Sequence, residues 1–352
     1  MRTDRPTPQA RSDAPDSDVV LSSRVRLARN LASEPFVHRC DESRCRSIIG
    51  MLRSALLQGD LDENLAWVDL EKATGHDRQL LVERHLISRQ LAEAAMPRGV
   101  AIADDETMSV MVNEEDHVRM QAIAPGLQPE RCLRRLVLLD SELETRLPWA
   151  VHDRWGYLAA CPTNVGTGIR FSAMVHLPAL RITGELTKVR QAAKDLNLAV
   201  RGYYGEGSES TGNFFQISNQ RTLGVSEEEL LDQFQRVLIP GVVRYERAAR
   251  EVLLERERLT VEDRIHRDLA ILQAARLLKA DEAMKRLSNV RLGVCIGMLP
   301  GIKLDAVNAL FLHIQPAHLR DRMGGTLSPA DAKSVRAELV RQLLGGDDGT
   351  GS

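Results

Sequence analysis

Alternating apolar and polar residues mark three short stretches in the first two thirds of the chain: TMSVMVN (107–113), VRMQAI (118–123) and FFQISNQ (214–220). Period-two patterning of this kind predicts β-strands, whereas the three-to-four spacing of apolar residues in 130–139 and 187–195 predicts helices. The link NEEDH between the first two strands is too short for a crossover helix, so they are expected to pair antiparallel. The texture changes near Gly241. Beyond it no convincing strand pattern appears, and helix starts recur. Ser226 with Glu229 and, as a weaker variant, Thr260 with Asp263 resemble capping boxes, and Ser328-Pro329 sets a proline at a first helical position. Leu269, Leu272, Ala275 and Leu278 supply an apolar stripe for a bundle. The expected fold is α+β over 18–241, a mostly antiparallel sheet flanked by helices, followed by an all-α helical domain over 242–344. Composition assigns unstructured tails to 1–17 and 345–352.

Length agrees with two domains, because 352 residues at 43% hydrophobic can bury a sizeable core. A net charge of −2 and only 4% aromatic residues argue against nucleic acid as a partner, since neither a basic field nor stacking platforms are supplied. The first 18 residues lack the apolar core of a secretory signal, and no later stretch is long and apolar enough to span a bilayer. A cytoplasmic protein without a membrane partner is expected. Five cysteines, an odd number without a Cys-x-x-Cys pair, point to reduced thiols, and the spacing of His38, Cys40 and Cys45 fits no familiar zinc pattern.

Four charged clusters in the first domain share a feature. SSRVRLARN (22–30) alternates Arg24 and Arg26; NEEDHVR (113–119) holds three carboxylates, a histidine and Arg119; CPTNVGTGIR (161–170) runs from Cys161 to Arg170; RGYYGEGSESTGN (201–213) joins Arg201 to a glycine-punctuated acidic turn. Each places an arginine beside a loop or strand end. Converging guanidinium forks suit a polyphosphate when no P-loop is present, and none is. Glu115 and Glu206 would sit badly beside phosphates unless a cation lay between them, either Mg²⁺ or a cationic substrate. A guanidinium answers that need, because carboxylates can fix its plane and take its proton. Taken singly, each feature has an ordinary reading: a surface ion pair for Arg24 or Arg26, a small buried residue for Cys161, a satisfied histidine for His85 in LVERHLIS, a solvated turn for NEEDH.

Together, SSRVRLARN, NEEDHVR, CPTNVGTGIR, RGYYGEGSE and FFQISNQRTLG occur in the order and approximate spacing of the phosphagen (guanidino) kinase family, and the chain resembles its bacterial branch, the protein-arginine kinases. The resemblance is close over 18–250 and looser beyond. It implies an ATP site formed by Ser22, Ser23, Arg24, Val25 and Arg26, by His85 and Arg119, by Arg170, Phe171, Ser172, Ala173 and Met174, and by Arg201, Gly202, Tyr203, Tyr204, Gly205 and Glu206. It implies Glu115 and Glu206 as the carboxylates that orient and deprotonate the guanidinium, with Cys161 beside the substrate, and ATP and Mg²⁺ as cofactors, with no protein ligand to the metal. Its implied partners are proteins with exposed arginine, a zinc-binding activator protein, a Clp ATPase and a second copy of the chain, in stress control and protein turnover.

Only 21 residues precede Ser22, where kinases of small guanidines carry a long helical domain, so a protein substrate is expected over free arginine. In the C-terminal domain the branch carries Arg-Asp-x-x-Arg-Ala to recognise phosphoarginine, whereas this chain reads AKSVRA. Lys333, Arg336 and Ala337 remain as a degenerate form of that pocket, its acidic partner gone. Phe171 stands where the branch more often has a small residue. Two alternatives complete the reading: a kinase for a free guanidine, and a phosphoarginine-binding adaptor.

Overall fold

The computed structural model describes residues 7–57, 64–202 and 211–345. Its centre is an eight-stranded sheet in the order β2 (Leu65–Asp69), β3 (Gly99–Ala103), β4 (Met108–Val112), β5 (Val118–Pro125), β1 (Val20–Arg29), β8 (Ile169–His176), β10 (Phe214–Asn219), β9 (Leu198–Gly202), with every neighbouring pair antiparallel. A two-residue pair, β6 (Val151–His152) and β7 (Gly156–Tyr157), stands apart from it. The three strands read from alternation are β4, β5 and β10, and the NEEDH link closes the antiparallel β4–β5 pair.

Strand β1 shows how the site is positioned. Its Val25 and Leu27 are fully buried toward α4 (Pro129–Glu144), whose Cys132, Leu133, Leu136, Leu139 and Leu143 form the inward stripe. Period two then turns Arg24 and Arg26 to the opposite face. Around this sheet lie α1 (Glu42–Leu57), α2 (Gly75–Glu83), α3 (Arg89–Glu93), α5 (Pro178–Ile182) and α6 (Leu186–Asp195). The helical half holds α7 (Glu227–Asp232), α8 (Ile239–Ala274), α9 (Ala280–Cys295), α10 (Leu304–His313), α11 (Pro316–Met323) and α12 (Pro329–Leu344), with no strand after Gly241 among the described residues.

Two of the three expected helix starts form: Ser226 and Glu229 make a reciprocal capping box on α7, and the Ser328 hydroxyl accepts from the Asp331 N–H at α12. Thr260 does not start a helix. It lies inside the 36-residue α8, where Asp263 pairs with Arg267 one turn on rather than with a cap. The only break in α8 is at Glu257 (φ −135°, ψ 28°).

Residues 7–17, read from composition as tail, are instead packed. Asp16 and Asp18 meet Arg247, Asp18 also meets Arg250, and the Arg291 guanidinium donates to the carbonyls of Ser17 (2.7 Å) and Asp18 (2.9 Å). The reverse link is Glu83, at the end of α2. Its carboxylate accepts from the N–H groups of Ala317 and His318 and from the His318 ring at the start of α11, all buried.

Candidate active site

Antiparallel register lines up the polar face. Arg26 stands opposite Arg170 on β8 and Gln121 on β5; Arg24 stands opposite Ser172; Arg119 stands opposite Ala28; Arg201 on β9 stands opposite Gln216. The result is an open cavity of about 530 Å³ whose lining includes Arg26, Arg119, Arg170, Arg201, Glu115 and Cys161. Residues drawn from four separate stretches of sequence thus converge on one concavity.

The carboxylates and thiol enter from loops. Glu115 lies on the β4–β5 hairpin and its Oε2 is 2.7 Å from Nη2 of Arg119, which also contacts Glu114. Burial opposes the charge of Arg119, but Glu114, Glu115 and Asp116 outweigh it and raise its pKa. Cys161 precedes a single tight turn, Pro162–Asn164, and its Sγ is 3.1 Å from the Thr163 hydroxyl. Gly166 (φ +109°) and Gly168 (φ +68°) sit where a Cβ would strike the backbone of Thr222 and of Ala28, so they let the loop close against the protein itself.

Arg24 and Arg26 are held differently. Burial, then the neighbouring charges of Arg119 and Arg170, push the Arg24 pKa down to about 10; burial with Arg24, Arg119 and Arg170 pushes Arg26 well down too. A guanidinium keeps its proton at any ordinary pH. These shifts therefore express how poorly crowded cations tolerate a half-buried site, a cost that a polyanion would reverse. The same face holds buried polar atoms without protein partners: Nε of Arg26 and the hydroxyls of Ser172 and Ser218. Donors aimed at a cationic cleft fit phosphate oxygens.

The remaining expected residues sort by strand face. Ser22 and Met174 share the polar face with Arg24. Ser23, Val25, Phe171 and Ala173 point into the core: the Ser23 hydroxyl donates to the Gly126 carbonyl, and the Phe171 ring packs on Phe234 at 5.8 Å, away from the Arg170 loop. His85 occupies a turn at φ +60° after α2, its carbonyl accepting from Gln121 (2.6 Å), and burial with nearby Arg24 lowers its pKa to about 3. It is a neutral ring there. Gly202 ends β9, while Tyr203, Tyr204, Gly205 and Glu206 lie outside the described residues. In α12, Nε and Nη1 of Arg336 donate to the carbonyls of Ile314, Leu278 and Ala332, and Ala337 is fully buried, whereas Lys333 is half-buried. No group of three His, Cys, Asp or Glu suited to a metal occurs among the described residues, and the five cysteines are unbridged.

Two residues of NEEDH matter in ways the string does not reveal. Asp116 is fully buried; its Oδ1 accepts from the N–H of Ala160 (2.7 Å) and from Asn30 Nδ2 (2.7 Å), so it ties the Cys161 loop to the end of β1. Burial raises its pKa, opposed by those hydrogen bonds. His117 is structural: Nδ1 accepts from the Leu31 N–H while Nε2 donates to the Pro35 carbonyl.

Residues 47–249 match the ATP:guanido phosphotransferase C-terminal catalytic domain. The chain belongs to that family. Residues 258–350 match the protein-arginine kinase McsB C-terminal domain, so the two matches meet within α8 near its break at Glu257. The protein-arginine kinase of Halothermothrix orenii is 42% identical over 331 residues, 94% of each chain, and that of Symbiobacterium thermophilum is 43% identical over 333 residues, again 94% of each. These matches set the chain in the protein-arginine kinase branch, as a guanidino phosphotransferase. Among solved structures, a duplicated taurocyamine kinase from Schistosoma mansoni with bound transition-state-analogue components aligns over 67% of this chain and 34% of its own (TM-score 0.61, 24% identity). A lombricine kinase aligns over 69% and 72% (TM-score 0.57, 25% identity). The family's sheet and helices are those described above. No described helix is long and apolar enough to cross a membrane.

Proposed function

We propose that the enzyme transfers the γ-phosphoryl group of Mg-ATP to the guanidinium of arginine side chains in proteins. The observation that carries the reading is the single cavity shared by Arg26, Arg119, Arg170 and Arg201 with Glu115 and Cys161. The arginines bind the triphosphate and spread over the charge of a loose, metaphosphate-like transition state. Glu115, with Glu206 from the sequence, fixes the guanidinium plane in line with the γ-phosphorus. One carboxylate takes an N–H proton, the new N–P bond forms and the bond from phosphorus to the bridging β,γ-oxygen breaks, leaving ADP. Cys161 contacts the substrate guanidinium, a role supported by its place on the lining of the same cavity.

Mg²⁺, bound with the nucleotide, would supply charge neutralisation to the phosphates; Glu114 and Glu115 are engaged by Arg119 and offer it no free carboxylate pair. Preference for a protein over a free amino acid is supported by the match to the protein-arginine kinase C-terminal domain and by the names of the relatives. A cytoplasmic role in marking proteins for a Clp-type protease, under a zinc-binding activator, follows from the same branch. Locking of Arg336 onto three carbonyls supports loss of phosphoarginine recognition at the degenerate pocket.

The test is incubation with Mg-ATP and an arginine-rich unfolded protein, with free arginine in parallel, and mapping by mass spectrometry without acid, because the P–N bond is acid-labile. Phosphoarginine on the protein, lost in Glu115→Gln and Cys161→Ala, is expected. Labelling of free arginine alone would replace the protein substrate by a small one.

A further inference from the structure

Beside the catalytic cavity the chain builds a second concavity that phosphoryl transfer does not use. Strand β10 ends at Asn219, and the loop after it serves both. Gln220 lines the catalytic cavity, whereas Arg221, Gly224 and Val225 line a groove of about 930 Å³ between this loop, α7 and Glu130 in the first turn of α4. Thr222 fastens the loop to its neighbour: its hydroxyl donates to the carbonyls of Thr163 and Val165 (both 2.8 Å), and its carbonyl accepts from the Thr167 N–H (3.1 Å). One wall of the groove is thus tied to the loop that carries Cys161.

The groove has an apolar end and an acidic length. Helix α7 continues past Asp232 into a π turn, Gln233–Leu238, in which Phe234 and Leu238 are buried while Val237 is 58% exposed. Phe234 and Leu238 join Leu196, Leu198 and Leu230 around a hollow of about 100 Å³, room for one aliphatic side chain. Leu196 is half exposed, and the hollow shares Arg221, Val225 and Gln233 with the groove. The charged lining of the groove is Glu130, Glu228, Glu229 and Asp232 against Arg221 and Arg236. Asp232 already holds Arg236 (3.0 Å) and Arg221 donates to the carbonyls of Leu223 and Gly224, while Glu228 is exposed and has no partner among the described residues. The surface is net negative.

That sign matters because the catalytic cavity has the opposite one. Arg26, Arg119, Arg170 and Arg201 line it against the single carboxylate of Glu115, so a polypeptide bringing an arginine is repelled at the place where it must react. Attraction has to come from outside the cavity. We propose that the groove docks the protein substrate: an unfolded, cationic segment next to the target arginine lies along Glu228 and its acidic neighbours, with one aliphatic side chain seated among Leu196, Leu230 and Phe234. The inference rests on the protein-substrate reading above. Complementary charge speeds the encounter, and the apolar seat prolongs it. Such a seat also favours unfolded chains, because folded ones bury their aliphatic residues.

The experiment uses the full chain and two synthetic peptides. One has about 25 residues, with a single arginine beside a stretch of leucine and lysine; the other has about five, with the arginine between glycines, too short to occupy cavity and groove together. KM and kcat are measured for the unaltered protein, Leu196→Asp and Glu228→Lys. Leu196→Asp should raise KM for the long peptide about tenfold and Glu228→Lys about fivefold, the latter effect shrinking at high salt, while kcat, KM for ATP and turnover of the short peptide stay within about twofold. Replacing the long peptide's lysines by glutamates should make Glu228→Lys the better binder, which a structural defect would not do. Unchanged KM for the long peptide in both variants would overturn the proposal, as would equal rises for both peptides, which mark damage to the catalytic cavity. Loss of a dimer in Leu196→Asp, read by light scattering, would assign the groove to a second copy and overturn it too. Should the unaltered protein phosphorylate neither peptide, the kinase reading fails by itself, and fluorescence anisotropy of the long peptide on the same three proteins decides whether the groove binds it.

Discussion

Arginines withdrawn wholly or partly from solvent in this molecule come in two kinds. Arg29, 1% exposed at the end of β1, brings its acceptors with it: Asp140 takes Nε and Nη2, the carbonyls of Ala28 and Thr167 take Nη1, and Tyr157 lies 3.4 Å beneath the guanidinium carbon. Arg291 is likewise surrounded by Asn308, His176 and two carbonyls. Three residues before Arg29 on the same strand, Arg26 has an Nε without a protein partner and other arginines as its main electrostatic neighbours. The first kind is complete within the fold and supports it. The second is incomplete and is held in place by the fold, a local inconsistency of the sort that marks functional sites.

That contrast can be broken by substitution. Arg26→Ala should lower kcat about 10³-fold while the unfolding temperature stays level or rises, since a crowded cation is removed; steady-state kinetics and calorimetry on one preparation check both halves. Arg29→Ala should do the opposite, costing at least about 3 kcal/mol of stability by leaving Asp140 buried and unpaired, read from denaturant unfolding. Glu115→Gln should lower kcat about 10²-fold with little change in ATP affinity, because it removes the proton acceptor but keeps the side chain's shape.

The smallest effect concerns Asp116. Its raised pKa means that the folded chain holds the proton more tightly than the unfolded one, so its contribution to stability grows as pH falls through the folded value and is lost above it. Asp116→Asn keeps an acceptor for Ala160 and removes that dependence, so its stability should equal or exceed that of the unaltered protein at neutral pH, and the gap should close on acidification.

Much of this organisation was legible beforehand. Alternation located β4, β5 and β10, the shortness of NEEDH fixed their antiparallel sense, and arginines at strand positions announced a polar face. Four things were not readable, each for a reason of distance or competition. Residues 7–17 looked disordered because their partners, Arg247 and Arg291, lie more than 200 residues away in sequence. Thr260 looked like a helix start because capping chemistry is local, whereas the apolar positions Val261, Ile265 and Leu272 carry α8 straight through it. Alternation within SSRVR and RFSAM was visible, yet a motif quoted whole lists residues from both faces, and only the register separates Arg24 from Val25 or Arg170 from Phe171. Asp116 and Asn30 were hidden in plain sight, since nothing local shows that they meet.

Glu83 carries a last consequence, for how the chain is made. Its carboxylate terminates the exposed N–H groups of α11, a helix whose first residues are synthesised 234 positions later. In return Arg291 of α9 satisfies carbonyls of residues 18 and 17, which precede it by 273 and 274 positions. Neither half therefore finishes its hydrogen bonding alone. The nascent sheet must wait for its last helices, and the two halves are expected to melt in one calorimetric transition.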